Sequence, residues 1–396
     1  MKPPRLVIVL VAASLLAGLA ACDVPQPPPE LRAPTATAAD IGRPTASPAP
    51  PTPTLPPEGG GRLWFLRDNH VWQTDPTGAQ PQQVSALPAD SGPASSPDGG
   101  QVAFLSGPDL VVIDATRGGE RVLVDATQAV TTTDPAGGAM LVLTDTAMAP
   151  HQRLGWSADG RQIAYFTFAA QPGVEHIWAA TTDGSRPPRL MTTITVPGYQ
   201  AGPTFERVAG WEPDGRRFAA GGVYGPIQVL PLDASAGDPV TVDGGELDWA
   251  PDSRFLLYTQ SLNGALALFD LVGRDATPFV NEKREVGTRL GDTAQGPGPR
   301  FSPDGTLILY RSRMADGTPA VAVRDLAGVE GLYLPGNNAA WSPDGNWIVY
   351  ETGNLGTDTQ GLGQMIWQPT GLAKVQRDGS NMAQILQDAS APAWGR

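Results

Sequence analysis

The stretch Trp341-Ser342-Pro343-Asp344-Gly345-Asn346-Trp347-Ile348-Val349-Tyr350 reads as a strand end, a tight turn and the start of a second strand. Pro presets φ, Asp caps the turn through its carboxylate, and Gly accepts the positive φ that the reversal needs. The unit recurs as Phe301-Ser302-Pro303-Asp304-Gly305, Trp249-Ala250-Pro251-Asp252-Ser253, Trp211-Glu212-Pro213-Asp214-Gly215, Trp156-Ser157-Ala158-Asp159-Gly160 and Ser95-Ser96-Pro97-Asp98-Gly99. An apolar residue follows four places after each Asp: Val102, Ile163, Phe218, Leu256, Ile308 and Ile348. Two places further stands an aromatic (Phe104, Tyr165, Tyr258, Tyr310, Tyr350), with Ala220 the exception. A period of two puts both on one face of a strand.

The aspartates are 61, 55, 38, 52 and 40 residues apart, close to the roughly 40–50 residues of a four-stranded propeller blade plus insertions. The unit resembles the WD40-like PD40 repeat of TolB-type β-propellers, over essentially Gly59–Arg396. The resemblance implies an all-β propeller of four-stranded blades. TolB-type proteins carry an α/β domain ahead of the propeller, and here a Pro-rich segment stands in that place, so the resemblance is taken for the fold alone.

The chain ends set the blade count. Ala391-Pro392-Ala393-Trp394-Gly395-Arg396 reads as a first strand cut off before its turn, and Arg62-Leu63-Trp64-Phe65-Leu66 as a second strand lacking its first. Joined, they complete one blade and abolish an exposed sheet edge. Six copies plus one split blade give seven; six blades is the alternative should one copy not form. Trp156, Trp211, Trp249, Trp341 and Trp394 hold one repeat position, with Phe301 at the same place, and are expected to pack between blades.

Residues 1–21 read as an export signal: Lys2 and Arg5, then a charge-free apolar run. Leu19-Ala20-Ala21-Cys22 resembles the lipobox of bacterial lipoproteins, which implies cleavage before Cys22 and lipid attachment to its thiol. Cys22 is the single cysteine of the chain. Residues 22–58 then form a tether, with 12 Pro between positions 23 and 58 and almost no large apolar side chain; such composition does not offset the entropy of ordering. The expected organisation is signal 1–21, lipidated tether 22–58 and propeller 59–396, exported and anchored to the bacterial cell membrane with the propeller facing outside or into the periplasm.

Composition agrees with this division. The 47 Gly and 41 Pro among 396 residues argue against a helical fold. A formal charge of −13, or −15 once Lys2 and Arg5 are removed, excludes a phosphate-neutralising nucleic-acid binder. One Cys and three His leave little for a metal centre. No nucleophile elbow, zincin helix, phosphate loop or dinucleotide fingerprint occurs. No catalytic residue, metal or cofactor is therefore assigned, and a monomer is expected.

The function expected is a non-enzymatic binding or scaffold module for a protein or cell-envelope partner. The alternative is a carbohydrate-active or other hydrolytic propeller using scattered carboxylates. The long connections Thr127–Pro150, Thr195–Thr204, Glu282–Gly298 and Glu351–Gln368 all fall on the face opposite the Pro-Asp-Gly turns, and the tether enters on the turn face. Loops on a rigid scaffold commonly carry binding, so the candidate contacts are Asp134, His151, Tyr199, Phe205, Arg284, Arg289, Asp292 and Trp367.

Overall fold

Period-two apolar patterning, interrupted by a turn at each repeat, builds seven antiparallel blades. The computed structural model describes residues 60–395, apart from 126–129, 134–139, 144–151, 169–173, 196–206, 222–225, 261–265, 279–297, 315, 327–329 and 358–364. From the inner strand outward, blade II is Ala94–Ser95, Gln101–Ser106, Asp109–Asp114 and Glu120–Val124. Blade III is Gly155–Trp156, Gln162–Phe168, Val174–Thr181 and Arg189–Thr195. Blade IV is Arg207–Trp211, Arg217–Gly221, Ile227–Pro231 and Val240–Val242. Blade V is Gly244–Trp249, Phe255–Gln260, Leu266–Asp270 and Asp275–Pro278. Blade VI is Arg300–Phe301, Leu307–Arg313, Pro319–Asp325 and Glu330–Pro335, and blade VII is Asn337–Trp341, Trp347–Thr357, Met365–Gln376 and Ala383–Gln387.

Blade I closes the ring as the chain ends suggest. Its inner strand is the C-terminal Ser390–Gly395, and its outer three are Arg62–Arg67, His70–Thr74 and Gln82–Gln83. Arg62 pairs with Gly395 and Leu63 with Trp394, antiparallel. The indole of Trp394 also donates to the carbonyl of Gly60 at 2.9 Å. The fold is thus a seven-bladed β-propeller, and the six-blade alternative falls away.

Each blade interface holds its own hydrophobic cluster. Val102, Ile163, Phe218, Leu256, Ile308 and Ile348 are all fully buried. Each lies with its strand partner two residues on against the preceding blade: Phe218 and Ala220 pack with Ala164 and Phe166, and Ile348 and Tyr350 with Leu309 and Val321. The repeated aromatic joins the same cluster from the inner strand, as Trp211, Trp249, Phe301, Trp341 and Trp394 do. Blade II has Ser95 at this position, and the space between blades I and II is filled by Trp64. Truncating such a core aromatic costs roughly 3–5 kcal/mol.

Three features depart from the repeat, one of them a separate hairpin within the connection after blade II, where Val130–Thr133 pairs antiparallel with Met140–Leu143. Glu351–Gln368 is not simply a loop: the strands of blade VII continue to Thr357 and resume at Met365, pairing Gly353 with Pro369 and Leu355 with Trp367 as a projecting ribbon. The glycines permit this, since the Trp367 indole lies where a Cβ on Gly353 would stand. Third, Gln152–Arg153, just ahead of blade III, pairs in parallel with the inner strand of blade IV and adds a fifth strand to that sheet. Gly155 makes this possible, because a Cβ there would collide with the carbonyl oxygen of Ala209. No helix among the described residues is long and apolar enough to cross a membrane.

Candidate functional site

The turn face is assembled from short-range bonds. Ser96, Ser157, Ser302 and Ser342 donate Oγ–H to Asp98, Asp159, Asp304 and Asp344 at 2.5–2.6 Å. Each of these hydroxyls accepts, at 2.9 Å, the N–H five residues on. The carboxylates also accept the N–H two residues on, as do those of Asp214 and Asp252. The serine hydrogen bonds hold the carboxyls of Asp98 and Asp159 below the usual range. Burial opposes this at Asp304, but donors from Ser302 and Arg377 outweigh it and bring Asp304 to about 2. These aspartates are occupied in shaping turns.

Two turns lack the serine: Ala250 takes its place in blade V and Glu212 in blade IV. The Glu212 side chain is fully buried, and Arg217 donates to Oε1 at 2.6 Å while Oε2 has no partner among the described residues. Burial, aided by neighbouring Asp214, pushes its carboxyl up to about 7.

The opposite face is held by long-range bonds from buried carboxylates. Glu175, opening the third strand of blade III, accepts Nε and Nη2 of Arg207 in blade IV at 2.7 and 2.6 Å. The same guanidinium lies 5.1 Å from the ring centre of Phe168. Glu246 in blade V accepts Nη2 of Arg311 in blade VI. Glu351 in blade VII accepts from Asn338, from the indole of Trp367 at 3.1 Å and from the backbone N–H of Ala391 in the closing strand. Burial raises the carboxyl of Glu351 against these donors.

Of the candidate contact residues, Trp367 alone is described, and it lies on the ribbon strand Met365–Gln376, not in a loop, tied to Glu351. Asp134, His151, Tyr199, Phe205, Arg284, Arg289 and Asp292 lie outside the described residues, as does Cys22. Among the described residues no group of three or more His, Cys, Asp or Glu could hold a metal ion.

The sequence reading missed the charged groups on the inner strands. The residue before the repeated aromatic is small in five blades: Ala94, Gly155, Gly210, Ala340 and Ala393. Blades V and VI instead carry Asp248 and Arg300 there. Asp248 Oδ2 accepts the N–H of Phe301 at 2.8 Å, and Arg153 reaches over from its extra strand to bond the carbonyl of Leu247 at 2.6 Å. Arg153 Nη2 stands 4.0 Å from Asp248 Oδ1, and both side chains stay partly open, 19% and 27%. Burial pushes the Asp248 carboxyl up to about 6, against the pull of Arg153. Aligning the repeats on their aromatics exposes this departure; treating the inner strands only as packing hides it.

No family model matches the chain, and neither does any curated protein. Among solved structures it is similar to TolB from Acinetobacter baumannii at 16% identity, covering 86% of this chain and 68% of that one, with a TM-score of 0.48. It is also similar to a functionally unknown protein from Desulfotomaculum acetoxidans at 12% identity, covering 84% and 98%, with a TM-score of 0.52. A proposed 6-phosphogluconolactonase from Bacteroides uniformis aligns at 15% identity over 79% and 99%, with a TM-score of 0.47. The likeness is one of fold alone. It assigns no activity.

Proposed function

We propose that the chain is an exported lipoprotein, anchored through Cys22, whose propeller binds a protein or cell-envelope partner on the face opposite its Pro-Asp-Gly turns. The observation that carries this reading is the closure of blade I. Arg62 pairs with Gly395, at the end of the inner strand where other blades make their turns. The first described strand of the propeller, Arg62–Arg67, therefore begins at the turn face. The opposite face, which carries the blade VII ribbon, is the proposed binding face.

Two experiments separate the parts of the proposal. Labelled palmitate should enter the wild-type chain and be absent from Cys22→Ser, which should leave the membrane fraction; retention of that variant at the membrane would refute the anchor. A photoreactive residue at exposed Asn354 of the ribbon should give discrete adducts in native envelopes, and one at Asp159 on the turn face should give few. Adducts confined to Asp159 would overturn the assignment of faces.

A further inference from the structure

We propose that one proton bridges the carboxyls of Glu212 and Asp214 and makes the first turn of blade IV a pH-sensitive latch. The proposal is independent of the anchor and of the binding face. Its first support is a comparison among the turns. In blades II, III, VI and VII a serine hydroxyl donates to the turn aspartate two residues on and accepts the N–H five residues on. Glu212 stands at the serine position. Its Oε1 takes over the accepting role, toward the guanidinium of Arg217 five residues on, at 2.6 Å. The donating role, toward Asp214 two residues on, requires a hydrogen that an ionised carboxyl lacks.

The second support is the state of Oε2. The Glu212 side chain is fully buried, and Oε2 has no hydrogen-bond partner among the described residues. The Asp214 carboxyl nevertheless lies within side-chain hydrogen-bonding reach of Glu212. Two carboxylates at that range are both acceptors and repel; with one proton between them, one donates and the other accepts. The proton rests with Glu212, which has lost its water, while Asp214 is 39% exposed and accepts the backbone N–H of Arg216 at 3.0 Å. Blade V shows the turn without such a group. Ala250 neither donates nor repels there, and Asp252 still accepts the N–H of Arg254 at 3.0 Å.

The charged groups around the pair have other bonds to make. On the same turn, Arg217 Nε donates to the carbonyl of Ala236, and Arg216 donates to Ser235 while standing 4.0 Å from Asp214. Asp233, in the connection between the outer strands of blade IV, accepts from Ser235. On the turn of blade V, Arg254 pairs with Asp270, and on that of blade III, Asp159 accepts from Ser157 and from the N–H of Arg161. Burial, with Asp214 adding to it against the pull of Arg217, pushes the Glu212 carboxyl up to about 7. The proton is held below that value and lost as pH rises through it. Two like charges then face each other, and the exposed partner, Asp214, is driven toward water. The bond from Asp214 N–H to the Ser253 hydroxyl of blade V, 3.2 Å long, loosens with it. The latch thus couples pH to the contact between the turns of blades IV and V.

The test is a pH titration, followed by NMR, of the full chain carrying glutamate labelled with carbon-13 at its side-chain carboxyl. One glutamate should titrate near pH 7 and be missing from Glu212→Gln. Asp214→Asn removes the like charge and supplies an amide donor, so it should lower that midpoint by about one pH unit or more. A midpoint unmoved in Asp214→Asn would overturn the bridge, as would the absence of any glutamate titrating near pH 7. Hydrogen exchange over Arg207–Gly221, corrected for the intrinsic pH dependence of exchange, reads the latch itself. Protection should fall several-fold between pH 6 and 8 in the wild-type chain and stay level in Glu212→Gln, whose amide keeps a donor without the charge. An equal fall in both would overturn the latch. Should Glu212→Gln fail to fold, the midpoint in Asp214→Asn, altered at a partly open position, still decides the matter.

Discussion

The two faces of the propeller are built by different means. On the turn face, Ser342 bonds Asp344 two residues away and Trp347 five residues away, so each turn is shaped within its own repeat, with Arg377 adding a bond across to Asp304 of the neighbouring blade. On the opposite face, Glu175 holds Arg207 at a separation of 32 residues, and Arg311 holds Glu246 at 65. The first kind of bond repeats because each repeat contains all its partners. The second kind joins different blades, so it differs at each interface and leaves no repeated trace. Function more readily diverges on a surface whose chemistry is not bound to the repeat.

The largest expected effect breaks the long-range face. Glu175→Ala leaves Arg207 buried without its carboxylate and should cost about 3–5 kcal/mol in denaturant unfolding. A cost below that of a surface pair, about 1 kcal/mol, would mean that the two faces do not differ in this way.

Glu212 offers an intermediate case, a buried carboxyl set among local turns. Its native value of about 7 lies above the ordinary 4.5. Between those two values the unfolded chain releases the proton that the native state keeps, so stability falls as pH rises. One such proton is worth about 1.4 kcal/mol per pH unit, or about 3 kcal/mol over the interval. Glu212→Ser, which supplies the hydroxyl that Ser96, Ser157, Ser302 and Ser342 provide in their turns, should reduce that slope by about one proton. An unchanged slope between pH 5 and 7 would place the proton elsewhere.

Smaller effects belong to the turns themselves. Ser342→Ala removes a donor to Asp344, partly buried, and a buried acceptor for Trp347 N–H, and should cost about 1–2 kcal/mol. Ser253 occupies the glycine position of its turn at φ 60°, a conformation that burdens a side chain. Ser253→Gly should therefore stabilise blade V by about 0.5–1 kcal/mol, read as a rise in melting temperature. A loss would show that the weak bond from Asp214 N–H to the Ser253 hydroxyl, at 3.2 Å, outweighs the strain.

Blade architecture and ring closure were legible, and the blade number narrowed to seven or six, because they rest on the spacing of Trp341-Ser342-Pro343-Asp344-Gly345 and its copies. The burial of Trp211, Trp249, Trp341 and Trp394 follows from the same periodicity. The ribbon of blade VII was not legible: Gly353 and Gly356 read as loop residues, and only the cross-strand placement of Trp367 and Gln368 over them makes pairing possible. The approach of Arg153 to Asp248 was legible only as a faint departure at Asp248.

The amino-acid sequence by itself determined the repeated hairpin and the join between the chain ends, because each depends on residues within a few places of one another or on the two termini; the choice of seven blades over six waited for the structure. Only the tertiary structure decided that Arg153 crosses from its own blade to Leu247 of another, that Glu246 meets Arg311, and that Glu351 ties the ribbon to the closing strand. Those are meetings of single, unrepeated residues across blade boundaries. Their partners are chosen by the ring's geometry, which no local pattern encodes.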